Sequence, residues 1–322
     1  MNVLDIHQVG PMATVQDLGR KGLHHAGVSG CGPMDTPSFR IANALVGNHG
    51  NAAALEFAGV GGRFSVSQTA LFSVTGGDVS VHLDGTALHP WESHRMEPGQ
   101  QLHIGALRDC VWGYLAFAGG IDLPSVLGSL STHLRSGVGG LDGRRLQAGD
   151  RLSLHEAHSK NEMALSGMWR RSVRPIRVVP GPQDDYFSAE TRNAFTQADF
   201  IVSAARDRMA QMLDGQKIHA ERGHDIVSDG TSAGSIQVPS SGRPIVLMAE
   251  RQTTGGYPKI GTVASVDLPR LAQVPSGRSV RFNYVSQDEA EALLISERAA
   301  LRNVLENLVT KPNRHNVRGD MP

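Results

Sequence analysis

The sequence predicts a mainly β protein with a few helices, built as two barrel-like domains in tandem. Three observations carry this. Glycine counts 37 of 322 residues, about twice the average frequency, and is spread in pairs and triplets as tight turns between short strands require. Most apolar segments are short, alternate with polar residues and stop at Gly or Pro. Three stretches, EPGQQLHI, QAGDRLSL and PSGRSVRFNY, each place a turn glycine three residues before an apolar, polar, apolar run, the repeated closing strand of barrels or sandwiches.

A chain of 322 residues is long for one core, which favours two domains. The polar stretch LHEAHSKNEMALSGMWRRSVRP follows a closing strand and precedes IRVVPGP. It divides an N-terminal domain at 1–160 from a C-terminal domain at 172–286, leaving 287–322 as a terminal helix and a mobile, charged tail.

Within the first domain, ALFSVTGGDVSVHLDGTAL (70–88) alternates around Gly-Gly and Asp-Gly, both hairpin signals. QQLHI, VWGYLAFAGG and RLSL read as further strands, and IRVVPG, RPIVLMA and SVRFNYV supply those of the second. Helices are fewer. TPSFRIANALVGN puts Phe39, Ala42, Leu45 and Val46 on one face and stops at Gly47 or Asn48. PQDDYFSAETRNAFTQ has Ser188 as its N-cap. SQDEAEALLISERAALRNVLENL opens with Ser286 and Glu289 at capping-box spacing and reads as an amphipathic helix packed on the body.

Composition narrows the function classes. Thirty-one basic and 31 acidic residues cancel, which argues against a basic nucleic-acid surface. The N-terminus lacks a charged n-region and an apolar h-region, and no apolar run approaches the ~20 residues of a membrane span; a soluble, cytoplasmic protein is expected. Cys31 and Cys110 are too few for a disulfide scaffold. GGYPKIGT lacks the G-x-x-x-x-G-K-[ST] order of a phosphate-binding loop, no G-x-G-x-x-G links a strand to a helix, and neither H-E-x-x-H nor G-x-S-x-G occurs. His24 and His25 are expected on opposite sides of a strand. No metal of its own is expected.

Three polar clusters remain. TVQDLGRKGLHHAGVSGCGPMD gathers Gln16, Asp17, Arg20 and Asp35 among glycines and prolines. Asp17 and Arg20 are placed to hold each other in a turn, the reading with the better prior, while Gln16 and Arg20 could offer donors to an anion or carbonyl. HDIVSDGTSAGSIQVP (224–239) reads as a hydroxyl-rich hairpin ending in Gln237, which could present a donor and an acceptor to an amide or ureido group. In RQTTGGYPKIGTV (251–263), Lys259 follows a proline-fixed backbone, and Tyr257 points the same way if the segment is extended. Partial burial would make that lysine a proton acceptor or an electrostatic clamp; a solvated turn lysine is the plain alternative.

Taken together, TVQDLGRKG, GVSGCGPMDTPSFRIANALVGN, LEFAGVGG, GYLAFAGGIDLPSVLGSLST, GVGGLDGRRLQAGD, VVPGPQDDYF, SDGTSAGSIQVPSSGRPIVLMAERQTTGGYPKIGTV and DLPRLAQV resemble the biotin-dependent carboxyltransferase family. That family includes the 5-oxoprolinase C subunit, allophanate hydrolase subunit 2, the carboxyltransferase part of urea carboxylase and an antagonist of a sporulation-kinase inhibitor. The resemblance spans roughly residues 5–290. It implies two tandem cyclophilin-like β-barrels and a partner of the B-subunit type (allophanate hydrolase subunit 1-like), with the A-type component beside it. The activity it implies is ATP-dependent opening of the 5-oxoproline lactam to glutamate. Its alternatives are carboxyl transfer from carboxybiotin to a urea-like nitrogen, and a non-catalytic regulator that binds a partner.

On this resemblance Lys259, Tyr257 and Glu250 are the catalytic set, Glu250 or Arg251 positioning the lysine. Gln237, Arg251, Gln252, Thr254, Gln16 and Arg20 form the substrate-binding set. No cofactor is expected on this chain alone; ATP belongs to the complex, or biotin to a carboxyltransferase. No nucleic acid or membrane partner is expected. Four positions depart from the family pattern: Glu250 stands where Asp is usual, Ala210 and Met212 replace a glycine and an arginine, and Leu130 replaces another arginine.

Overall fold

The structure is a computed structural model that describes residues 2–311 apart from 160, 170 and 173; the tail expected beyond Lys311 lies outside the described residues. The fold is mostly β, as the sequence predicts. Two antiparallel sheets form the N-terminal part. One runs Ile121–Asp122, Arg151–Leu154, Asn2–Val9, Val60–Val66, Leu102–Arg108, Asp78–Leu83, Thr86–Leu88; the other runs Ala13–Gln16, Ala54–Ala58, Trp112–Phe117, Ala70–Thr75, Ser93–Met96. Alternate side chains of both sheets meet in one core around Phe57, Phe64, Phe72, Leu102 and Phe117.

The C-terminal part is a single eight-stranded sheet. Its order is Ser279–Val280, Phe200–Arg206, Ala210–Asp214, Ile245–Leu247, Ser235–Gln237, Lys259–Val263, Ile176–Pro180, Phe282–Tyr284. Its two edges are pieces of one stretch, 279–284, broken only at Arg281, so the sheet nearly closes on itself. Closure removes the unpaired edges that would otherwise invite aggregation. Phe195, Phe200 and Phe282 fill the interior, the first and last stacked at 4.9 Å between ring centres.

The repeated turn unit is real: Gly99, Gly149 and Gly277 all sit at positive φ (87°, 92° and 83°) just ahead of their strands. Only glycine takes that conformation without a Cβ penalty. The two expected hairpins of 70–88 divide. Asp84-Gly85 joins a paired hairpin, Val81 opposite Leu88. The strands flanking Gly76-Gly77 lie in different sheets, so that pair is a crossover rather than a hairpin turn. His24 and His25 lie in a 3-10 turn, not a strand.

Four helices occur among the described residues: α1 (Thr36–Leu45), α2 (Ala189–Gln197), α3 (Leu268–Ala272) and α4 (Gln287–Glu306). The signals for α1, α2 and α4 hold. Asp35 accepts from the Ser38 N–H at the start of α1, Ser188 caps α2, and the capping box of α4 is complete. The short α3 is additional: the alternation of TVASVDL stops at Val263, and Pro269 sits in the first turn of α3. α1 packs Phe39, Ala42 and Val46 on the sheet carrying Leu71 and Tyr114, and turns Ile41 and Leu45 towards Leu301 of α4. Leu301 is the one buried residue of α4.

A polar weld joins the two parts. Arg208, 1 % exposed, donates from Nε to Glu250 Oε1 (2.5 Å), from Nη1 to Glu56 and from Nη2 to the Gly32 carbonyl (2.6 Å). Glu56 also accepts from Met34 N–H and Tyr114 O–H, both at 2.8 Å. Gln273 Oε1 accepts from Val111 and Trp112 N–H at 2.9 Å while its Nε2 donates to Asp35 and to the Trp112 carbonyl at 2.8 Å. Met34 and Trp112, from the N-terminal part, are members of the C-terminal core.

Candidate functional site

Lys259 opens a strand of the C-terminal barrel, and in the register Gln237 lies directly opposite it across a bulge. The bulge re-aims side chains at this point of the strand. Lys259 is 1 % and Gln237 2 % exposed. A short ribbon flanks the pair: Asp229–Gly230 pairs with Thr254–Gly255, Asp229 opposite Gly255. Gly255 is required by close approach, since a Cβ there would lie 2.2 Å from Gln237 Nε2.

The ammonium of Lys259 forms an ion pair with Asp229 Oδ2 at 3.2 Å, one oxygen for three N–H donors, so Nζ retains unspent donors. Asp229 is half-exposed, and Lys259 holds its carboxyl below the usual carboxylate range. Gln183 closes the arrangement: its Oε1 accepts from the Lys259 backbone N–H at 3.3 Å, and its Nε2 lies 3.4 Å from Asp229. Lys259 Nζ and Gln237 Nε2 are both buried without a hydrogen-bond acceptor. Buried donors with spare N–H groups are costly unless something supplies an oxygen. A carbonyl or carboxylate oxygen is a group that either would bind.

The other expected site residues scatter. Tyr257 is 38 % exposed; the backbone bends at 257 instead of running extended, so tyrosine and lysine do not share a direction. Glu250 does not position Lys259: its carboxylate is taken by Arg208. Arg251 is half-buried, its Nε 3.5 Å from the Thr231 carbonyl, and desolvation pulls its guanidinium below its ordinary value. It lines a cleft between the two parts of the chain rather than the Lys259 cluster. Gln252 and Thr254 are exposed; the Gln252 carbonyl accepts from Thr231 O–H.

Gln16 and Arg20 belong to the N-terminal part. Gln16 Nε2 donates to Thr14 and to the Thr132 carbonyl, and Arg20 donates to the carbonyls of Val126 and Ser131. Asp17 and Arg20 do not hold each other as expected. Burial works against the Asp17 charge, but the hydroxyls of Ser129 and Ser131 and the Leu130 N–H outweigh it and keep the carboxyl low. The cluster fastens the 126–132 loop, which is a structural task. Leu130, where the family carries arginine, packs against the apolar core.

The stretch 224–239 is not a hairpin: its two strands pair elsewhere, one with Thr254–Gly255 and the other inside the barrel. That separation puts Asp229 and Gln237 on either side of Lys259. Asp229 and Gln183 were not singled out from the sequence, although both sit in quoted motifs, SDGTSAG and VVPGPQDDYF. An Asp-Gly pair signals a turn first, and nothing local shows that the carboxylate meets a lysine thirty residues on.

Comparison with known proteins follows the same lines. The family model described as carboxyltransferase domain, subdomain A and B, matches residues 26–284. The chain is 39 % identical over 296 residues to the 5-oxoprolinase C subunit of Escherichia coli (strain K12), covering 89 % of this chain and 93 % of that protein. The solved structure of TTHA0988 shares 34 % identity with a TM-score of 0.79 over 88 % of this chain and 55 % of that one. The Kluyveromyces lactis urea carboxylase structure shares 28 % identity with a TM-score of 0.84, over 94 % of this chain and 29 % of that one. This chain therefore spans about half of the first solved chain and under a third of the second.

Proposed function

This chain belongs to the family of the carboxyltransferase domain, subdomain A and B, and from that membership we propose that it is the C subunit of an ATP-dependent 5-oxoprolinase. The 39 % identity to a protein of that name, along nearly its whole length, supports the reading. The observation that carries it to a site is the pair of buried, unsatisfied donors, Lys259 Nζ and Gln237 Nε2.

In the reaction a water oxygen adds to the lactam carbon, the C–N bond breaks, and the ring nitrogen leaves with a proton to give the amine of glutamate. Lys259 and Gln237 would donate to the lactam oxygen, stabilising the charge that develops there as water adds. Lys259 is also the proton donor for the departing nitrogen, with Asp229 holding the ammonium in place. Glu250 has no part in the chemistry because Arg208 occupies it. ATP does not fit GGYPKIG: Lys259 opens a strand, with no helix N-terminus behind it to face a phosphate. Nucleotide binding is assigned to the partner chains, the A-type and B-type components of the complex.

The test is reconstitution with those two partners and measurement of glutamate formed from 5-oxoproline. Lys259→Met reduces turnover by about 100-fold or more; undiminished turnover removes the lysine from the mechanism. Carboxyl transfer to a urea-like nitrogen is the second reading, favoured by the likeness to urea carboxylase, since a ureido oxygen would accept from the same two donors. Biotin-dependent carboxylation of urea with no 5-oxoproline turnover would establish it instead.

A further inference from the structure

Several of the less exposed arginines are ion-paired, Arg171 with Asp35, Arg177 with Asp267, Arg208 with Glu56 and Glu250, while Arg20 and Arg206 are spent on backbone carbonyls. One cavity gathers three arginines that are not ion-paired. It has a volume of about 350 Å³ and lies where α1, the 248–251 segment, α3 and α4 meet. Arg40, Arg251 and Arg298 line it, and among the described residues none of the three has an ion-pair partner. Arg40 Nε is buried with no acceptor. Arg251 reaches only a carbonyl, at 3.5 Å.

The acid in the lining is Glu297, which is in no ion pair among the described residues. Burial pushes its carboxyl up to about 7, with Asp267 and Asp35 adding to the shift and Arg177 and Arg270 opposing it. At neutral pH it is largely shared between charged and neutral forms, so three cations face less than one full negative charge. The remaining wall is apolar, made chiefly of Met34, Met248, Leu268, Leu294 and Leu301.

We propose that this cleft binds a small organic carboxylate, its anionic end on the arginines and a compact apolar body against the methionine and leucine walls. Guanidinium groups match a planar carboxylate in bidentate fashion, and the volume is in the range of small-molecule sites. A phosphate suits it less well. Two helix N-termini face the cleft: that of α1 already has its cap in Asp35 and carries Pro37, and that of the one-turn α3 carries Pro269, and neither proline has an N–H to offer. Lys259 and Gln237 do not line this cavity, so the site goes beyond the proposed catalytic role and stands independently of it. It also gives α4 a task, since Leu294, Glu297, Arg298 and Leu301 all come from that helix.

The test is calorimetric titration of the full chain with cyclopentanecarboxylate, cyclopentanecarboxamide and inorganic phosphate. The ring acid has a five-membered body and a carboxylate but no lactam for Lys259 to engage. One-to-one saturable binding of the carboxylate is expected, at least tenfold tighter than the neutral amide or phosphate. Arg298→Ala, an exposed position, and Leu294→Trp, which fills the cavity, each weaken it about tenfold or more; Lys259→Met leaves it unchanged. Absence of saturable binding, equal binding of the amide, tighter binding of phosphate, or loss in Lys259→Met with retention in Arg298→Ala would each overturn the proposal.

Discussion

Arg208 and Lys259 are each 1 % exposed, one at the junction of the two parts of the chain and the other in the wall of the C-terminal barrel. Arg208 spends its donors on two carboxylates and a carbonyl. Burial alone would favour its neutral form; Glu56 and Glu250 more than compensate, and the guanidinium stays charged. Lys259 has one half-exposed carboxylate beside it and, among the described residues, no second acceptor. Removing an ion from water costs several kcal/mol in a real protein. A cation that recovers this through complete pairing is holding structure together. A cation left under-paired at the same depth is held ready for a group that arrives later.

The largest expected effect is at Arg208. Arg208→Met leaves Glu56 and Glu250 buried without their counter-charge and lowers unfolding free energy by about 3–5 kcal/mol, read by urea denaturation. Neutralising all three, with Glu56→Gln and Glu250→Gln added, recovers most of that loss; failure to recover would mean that the weld is more than charge pairing. Lys259→Met sharpens the contrast from the other side. Because it removes an incompletely satisfied charge, stability changes by under about 1 kcal/mol in denaturation, while reconstituted turnover falls as described above. A stability loss matching that of Arg208→Met would erase the distinction.

Gly255→Ala is the intermediate case. Its Cβ collides with Gln237 Nε2, costing about 1–3 kcal/mol of stability by overpacking and reducing turnover roughly tenfold through the displaced donor. The last effect, read from pH dependence alone, concerns Glu297. Its folded carboxyl, near 7, lies above the unfolded value of 4.5, so the folded state binds the proton more tightly. Its contribution is complete below about pH 4.5 and is lost as pH rises through 7. Thermal melts of Glu297→Gln should show a flatter decline between pH 5 and 8 than the parent; parallel curves would contradict the burial of that carboxyl.

Much of the framework was legible. Ser188, Ser286 and Glu289 act as caps because capping is a contact over three residues, and such spacing is written directly in the chain. The turn glycines at 99, 149 and 277 are legible for the same local reason. Glycine pairs are less legible: Gly119 and Gly120 take positive φ, whereas Gly255 and Gly256 do not. Gly255 is glycine for clearance from Gln237, a neighbour in space eighteen positions earlier.

The candidate site divides along the same line. Lys259 and Gln237 could be named from the sequence, and the register sets them opposite each other. Glu250 adjoins the motif, but the partner that claims its carboxylate, Arg208, is forty-two positions away. Alternation aligns Tyr257 with Lys259 only on extended backbone, and the chain bends there.

The sequence by itself determined the β class, the caps, the turns and the family, all of which follow from short-range preference or from long ordered motifs. The tertiary structure alone decided which charges are paired. Pairing depends on distances between residues far apart in the chain, and on how much water the fold excludes from each. Two cations with the same burial therefore became a fully paired weld and an under-paired side chain only once closure of the barrel had chosen their neighbours.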